Sequence, residues 1–399
     1  MDMQDLGRLR GLKGQLDGLG PQIRVLTRPS EVEELRSTWQ QLLELQGPPA
    51  TTFQTPDWIL ALMQHLFIEK AKTAVRIAAV EEQHQLVLVA PLAISVRNGV
   101  RVLQWLGEPL SAYGDVIARP DCDVMRVMNQ VIDRLQRAGD HIDVVHLPKT
   151  RADATVSPFL ETFSTVPLGQ KRAPYLDLTS FTDFDAYVAS RSTSAMKSYR
   201  RKRRRLAETG RLDFRVHPAG THAEELGRRA IELKIEWMKT HGKVSRVFAD
   251  PSCLNSLLEF IRREGSGAFV SELSLDERPI ALEIGFVTNR RYYSYIGAMD
   301  LEFSRFSPGQ LQLLETLRWC FDMKIEIFDL LPSDSPYKRA WATDLADENE
   351  WIASCSVKGA VYKNVVVKGI LPLSKRLYTK APLAMRKPTQ SLVHKVLKQ

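Results

Sequence analysis

The chain has 399 residues, of which 44% are hydrophobic and 26% charged, and a formal net charge of +8. Its length suits two domains of ordinary size, and no stretch approaches the ~18 uninterrupted apolar residues of a membrane span. Four scattered cysteines, Cys122, Cys253, Cys320 and Cys355, make no Cys-x-x-Cys pair, which argues against zinc and redox motifs. Residues 1–21 form a polar leader without the apolar core of a signal peptide, so a cytoplasmic location is expected. A strand is predicted at 23–26 and a helix from Ser30, where Glu33 completes a capping-box pattern. Residues 74–96 read as a hairpin turning at Gln83 and His84, and 102–106 as a further strand. Residues 121–138 are helical, and 142–147 are a buried strand ending at Pro148.

A second unit opens near Tyr175. Residues 181–210 are mostly helical, 212–216 a strand, 221–240 a long helix carrying Trp237, and 251–263 another helix. Strands follow at 267–275, 280–288 and 291–298, the first turn falling at Asp276 to Pro279. After Gly359 a last strand is expected at 361–367. The order recurs: 141–148 parallels 324–332, and Trp105-Leu106-Gly107 parallels Tyr295-Ile296-Gly297. An offset of roughly 185 to 190 residues is too long for a solenoid and points to duplication of one α/β unit. The expected organisation is a leader at 1–21, an N-terminal unit at 22–172, a C-terminal unit at 173–369 and a basic tail at 370–399.

Charge is placed unevenly. Residues 351–399 hold ten Lys or Arg and no Asp or Glu, and 191–205 hold eight basic residues and no acid. Such blocks attract phospholipid, nucleic acid or phosphorylated substrates, or else simply solvate a face; both readings stand. On the first, the tail brings the chain to an anionic surface at the inner face of a membrane.

The most informative stretch runs over 307–341. Leu311, Leu314, Leu317, Cys320 and Phe321 fall on one helical face, with Gln312, Glu315, Arg318 and Asp322 largely on the other. Ser307 is a plausible N-cap, Pro308 suits the first turn, and Gly309 lets a ligand approach the backbone beside Gln310. Unpaired N–H groups and a partial positive charge at such a helix start can hold a phosphate. The alternative is an ordinary capped helix. A buried strand follows at 325–331, then a polar loop and Tyr337-Lys338-Arg339-Ala340-Trp341. The first copy has Ser111-Ala112-Tyr113-Gly114-Asp115 in place of this corner, and so lacks an obvious cofactor site. It reads as structural or acceptor-binding, and the second copy as the donor site.

This order of pieces resembles the CelD-like (cellulose-biosynthesis type) acetyltransferases of the GNAT superfamily. The resemblance rests on the strands at 280–288 and 291–298, Ser307-Pro308-Gly309, Phe328-Asp329-Leu330, and the run from Pro336 to Trp341. Thr52-Phe53-Gln54-Thr55-Pro56-Asp57-Trp58 and the basic helix at 192–210 add to it, so that it covers 25–360. It implies an α/β chain of two tandem GNAT-like folds, mixed sheets flanked by helices, as in the related Fem-type aminoacyltransferases. It also implies acetyl-CoA or a longer acyl-CoA as co-substrate, no metal, and an amine acceptor, either a small molecule or a sugar-linked envelope or polysaccharide precursor. The loop Pro332-Ser333-Asp334-Ser335 departs from the family, which more often has a glycine followed by acidic residues; loop geometry and acceptor choice stay open. Two rivals remain: a Fem-type enzyme whose aminoacyl-tRNA donor is gripped by the 191–205 cluster, and a non-catalytic adaptor of a polysaccharide synthase at the membrane.

Acyl transfer requires a positioned thioester, a stabilised oxyanion and a deprotonated amine. Glu283 is the one carboxylate in an apolar strand; it is a base if it faces the cleft and a solvent-facing residue if not. Asp329 ends the strand after the cofactor helix, where α/β sheets bind ligands, or else caps the next loop. Tyr337 and Lys338 match the family's Tyr-Lys pair. Tyr337 can return a proton to the thiolate, and Lys338 can hold a phosphate.

Overall fold

The computed structural model describes residues 21–66, 73–163 and 166–370. The predicted leader and almost all of the basic tail lie outside the described residues. The first half runs β1 (Gln22–Leu26), α1 (Pro29–Gln46), α2 (Pro56–His65), β2 (Thr73–Glu82), β3 (Gln85–Arg97), β4 (Val100–Trp105), β5 (Ile117–Ala118), α3 (Val124–Leu135), β6 (Val144–Arg151), α4 (Ser157–Thr162) and β7 (Val166–Asp177). Two helices, α5 (Phe184–Ser190) and the basic α6 (Thr193–Ala207), lead onward. The second half runs β8 (Leu212–Pro218), α7 (Thr221–Thr240), α8 (Pro251–Arg262), β9 (Ala268–Leu275), β10 (Arg278–Thr288), β11 (Arg291–Met299), α9 (Pro308–Asp322), β12 (Ile327–Asp329), α10 (Pro336–Arg339), β13 (Asp344–Ser354) and α11 (Val357–Val361).

The duplication is present as topology. β1 to β4 form an antiparallel meander, and β6 lies parallel to β4 with α3 in the crossover. β8 to β11 repeat the meander, and β12 lies parallel to β11 with α9 in the crossover. Parallel neighbours cannot be joined by a tight turn, and a helix spans each connection. Gln83 and His84 turn the first hairpin with φ of 51 and 62°, the double left-handed geometry of a two-residue loop.

The two halves exchange a strand. β13, from the end of the chain, pairs with β6 of the first half on one side and with β7 on the other. β7, from mid-chain, pairs with β12 of the second half. The result is one continuous sheet in the order β1-β2-β3-β4-β6-β13-β7-β12-β11-β10-β9-β8. A boundary at 172/173 therefore falls inside β7, a strand shared by both halves.

An aromatic cluster joins the halves on one face of the sheet. Phe53 meets Phe286 edge-on at 6.2 Å, and Trp58 meets Phe260 at 5.0 Å. Each such pair contributes about 0.5–1.5 kcal/mol beyond its buried area. The Thr52-to-Trp58 motif is thus a packing element between the halves.

Three expectations are corrected. α1 begins at Pro29, and Glu31 rather than Glu33 closes its start: the Glu31 carboxylate accepts from the Thr27 and Arg28 N–H groups at 2.8 and 2.9 Å. Gln312, expected on the polar face of its helix, points inward and donates to Ser271 Oγ at 2.6 Å. The strand expected at 361–367 is helical: α11 passes without a break into a π-helical stretch, Tyr362–Ile370. Ser356 Oγ caps it by accepting from the Gly359 N–H at 3.0 Å. The docked inner face overrides the β preference of the valines there.

Candidate active site

The two central strands of the second half part company. β11 and β12 are paired only at Arg291↔Ile327, Tyr292↔Phe328 and Tyr293↔Asp329. β11 then bulges: Ile284 faces Ile296 and Gly285 faces Ser294, which leaves Tyr295 as an extra residue. A bulge bends its strand and frees local backbone groups. A gap therefore opens between the end of β11 and the residues after Asp329.

α9 starts beside this gap. Ser307 has φ 52° and ψ 55°, and in this left-handed conformation its side chain makes no cap hydrogen bond. The expected N-cap is thus replaced by another contact: Ser307 Oγ accepts from Lys202 Nζ of α6 at 2.8 Å. The Ser307 carbonyl takes up the Gln310 and Leu311 N–H groups at 3.0 and 3.3 Å, while none of the described residues accepts from the Gly309 N–H. A Cβ added at Gly309 would meet only Met299, at 4.0 Å, so the space above it is open. Lys202 has no acidic partner among the described residues. An ammonium and the positive end of a helix thus share one spot.

α10 straddles the gap. Tyr337 is 45% exposed, and its hydroxyl lies near Glu283 and Tyr199 on the α9 side; burial, and then the Glu283 charge, raise the phenol above its ordinary pKa. Lys338 Nζ donates to the Leu331 and Pro332 carbonyls at 2.8 and 3.1 Å. Burial pushes its pKa down to about 8; the Asp329 charge opposes that shift and the Lys234 charge adds to it. Lys234 of α7 donates to the Gly297 carbonyl of β11 at 3.0 Å. Two ammonium groups thus sit on opposite lips of the gap, each anchored to main-chain carbonyls.

The sheet separates the predicted catalytic residues. Glu283 is 3% exposed and lies beneath α9, where Tyr292 Oη donates to it at 2.8 Å; burial raises its pKa to about 7. Asp329 lies on the opposite face and is fully buried. It accepts from Tyr113 Oη at 3.0 Å, from Arg151 Nη1 at 3.4 Å and from the Leu331 N–H at 2.8 Å, with Arg291 at 3.7 Å. Asp329 thus shapes the turn leading to Lys338 and ties it to the first half. Glu283 and Tyr337 form one group, and Asp329 and Lys338 the other.

The corresponding gap of the first half is bridged by its own chain. The Gly114 N–H donates to the Lys149 carbonyl of β6 at 3.0 Å, and Lys149 Nζ reaches back to the Pro109 and Ser111 carbonyls at 3.0 and 2.8 Å. A Cβ at Gly114 would lie 2.1 Å from Trp105, so only glycine lets the loop lie this close. The same loop receives Tyr295 Oη at the Leu110 carbonyl, at 2.6 Å. A cavity of about 740 Å³ between the halves, lined by Arg36, Asp57, Ser266 and Thr288 among others, contains none of the predicted site residues. Among the described residues no three His, Cys, Asp or Glu side chains gather as a metal site.

Sequence reasoning missed Lys234, Lys202, Tyr113, Arg151 and Arg291. Lys234 had a legible signal. It falls on the buried face of α7, in line with Ala223, Gly227, Ala230 and Met238, where a charge is out of place. Lys202 was hidden in its basic run, and nothing local marked Arg151.

Comparison with known proteins agrees with this geometry. Residues 193–339 match the acetyltransferase (GNAT) domain family. The match covers α6 to α10 and so includes the gap, the start of α9 and the Tyr337-Lys338 pair. The fold is also similar to that of FemX, at 10% identity and a TM-score of 0.59, with 86% of this chain and 99% of that one covered. The C-terminal domain of a putative lysylphosphatidylglycerol synthetase from Agrobacterium fabrum superposes with 11% identity and a TM-score of 0.52, covering 85% of this chain and 97% of that one. A conserved protein of unknown function from Bacteroides thetaiotaomicron does so with 6% identity and a TM-score of 0.52, covering 83% and 100%. A search of curated proteins gave no match. The chain is thus a mixed α/β fold of two GNAT-like halves, and the segment that matches the acetyltransferase (GNAT) domain family lies in the second.

Proposed function

We propose that this chain is an N-acyltransferase that moves an acyl group from acyl-CoA to an amine. The observation that carries the reading is the parting of β11 from β12 beside the open start of α9, inside the segment that matches the acetyltransferase domain. On this reading the donor pyrophosphate lies against Ser307, Pro308, Gly309 and Gln310, with Lys202 as a further charge. The thioester lies in the gap. The acceptor amine enters from the α7 side, attacks the carbonyl carbon and forms a C–N bond as the C–S bond breaks. Lys338, with a third N–H beyond the two given to carbonyls, stabilises the oxyanion or holds a phosphate. Tyr337 gives its phenol proton to the leaving thiolate and takes up the proton that the amine nitrogen loses as the amide forms; the Glu283 charge behind it favours the protonated phenol. Asp329 positions the turn that carries Lys338. The acceptor class implied by the sequence resemblance is a small-molecule amine or an envelope or polysaccharide precursor. Titration calorimetry with acetyl-CoA, longer acyl-CoAs and CoA tests the donor; absence of binding by all three would overturn it.

A second reading has one observation in its favour. Lys202 brings α6, with its run of arginines, to the start of α9, a surface that also suits the phosphates of an aminoacyl-tRNA donor. Salt-sensitive binding of aminoacyl-tRNA, with no binding of acetyl-CoA, would select it.

A further inference from the structure

The helical segment after β13 carries a feature that acyl transfer does not use. Val357, Val361 and Val365 are 84, 59 and 53% exposed and stand four residues apart, so they form one stripe on the outer face. The inner face is docked: Tyr362 and Val367 pack with Val100, Val102, Val144 and Ile352. Gly359 lies so close to the first half that an added Cβ would sit 1.9 Å from the Asp143 carbonyl oxygen. Ser356 Oγ donates to Asp143 Oδ1 at 2.6 Å, and Lys358 is bonded to the Gly99 carbonyl in the β3–β4 hairpin. The valines are therefore held outward on a docked helix. Exposed single apolar residues are ordinary. Here three of the eight large ones among the described residues line up on one helix.

We propose that this stripe is a docking surface for an anionic lipid bilayer. The charge pattern selects this occupant. Lys358 and Lys363 flank the valines, and residues 371–399 add seven Lys or Arg with no Asp or Glu. An interfacial helix gains from apolar area and from attraction to anionic headgroups together. Nucleic acid would use the charges and leave the valines in water. A second copy would bring two acid-free basic segments together. A neutral bilayer would use the valines alone.

The test is co-sedimentation of the full chain with vesicles of phosphatidylcholine alone or mixed with phosphatidylglycerol. The wild type is expected to pellet with the mixed vesicles and not with the neutral ones, and to be released as salt rises. A triple variant, Val357→Ser with Val361→Ser and Val365→Ser, should bind at least tenfold more weakly while keeping its melting temperature, because these side chains are exposed. As a second reading of the same surface, Val361→Trp should show blue-shifted emission with mixed vesicles. Equal pelleting of the serine variant and wild type, equal pelleting with neutral vesicles, or unshifted Val361→Trp emission would overturn the proposal. So would a wild-type dimer that the serine variant converts to a monomer.

Discussion

Tyr113 Oη donates a hydrogen bond to Asp329 at 3.0 Å across 216 residues of chain. Both side chains are buried, and Arg151 joins them from the first half at 3.4 Å. A loop of one half thereby fixes the turn on which the other half mounts Lys338. Asp329→Ala leaves Arg151 to Asp153 alone, at 2.7 Å, and takes from Arg291 its carboxylate at 3.7 Å; loss of one partner of a buried ion pair costs about 3–5 kcal/mol. Tyr113→Phe removes one hydrogen bond and leaves an acceptor short, at about 1–3 kcal/mol. Urea denaturation checks both. An Asp329→Ala variant as stable as wild type would remove Asp329 from its structural place.

Gly309→Glu places bulk and a negative charge at the open start of α9. The nearest neighbour of its new Cβ is Met299 at 4.0 Å, so the fold should tolerate it. Affinity for CoA should fall at least tenfold, about 1.4 kcal/mol. Unchanged calorimetric affinity in the folded variant would remove the donor from this helix.

Glu283 has its pKa raised from 4.5 to about 7 by burial. Between those values the folded chain binds a proton that the unfolded chain has lost, so stability declines as pH rises through that window. Below 4.5 both states are protonated and the penalty vanishes; above 7 it is complete, at about 3 kcal/mol. Glu283→Gln should therefore match wild type near pH 4 and exceed it progressively up to pH 7. Melting temperatures across that range are the measurement, and a constant difference would contradict the assignment.

Tyr337→Phe should reduce turnover by about 10²- to 10⁴-fold, the range for loss of a general acid, with CoA affinity retained. Lys338 loses its charge as pH rises through about 8, so wild-type turnover should fall above that pH. Lys338→Met should be slow at every pH and lack this limb. A wild-type profile that stays flat to pH 9.5 would exclude a catalytic ammonium there.

Much of the fold was legible because periodicity marks half-buried elements. Thr221–Thr240 and the hairpin at Gln83-His84 follow directly from spacing and turn chemistry. β13 left no such trace. Asp344–Ser354 reads DLADENEWIAS, and four of its eleven residues are acidic although the strand lies inside the sheet. Its charges are met by ion pairs from distant segments, such as Glu348 with Lys171 at 3.8 Å, which no local pattern announces. Of the site, the corner at Ser307 and the Tyr337-Lys338 pair were visible as motifs. Which face of the sheet each side chain takes was not, because Glu283 and Asp329 are separated by strand pleat and register.

The placement of β13 governs the order in which the chain can be completed during synthesis. Until Asp344–Ser354 leaves the ribosome, β6 has an open edge and β7 lacks one neighbour, although every other strand of the first half is already made. An unpaired edge invites mispairing, and non-local pairing closes late. The halves are therefore not interchangeable cassettes. A nascent chain that ends before Asp344 carries the whole candidate catalytic segment and still cannot close its sheet.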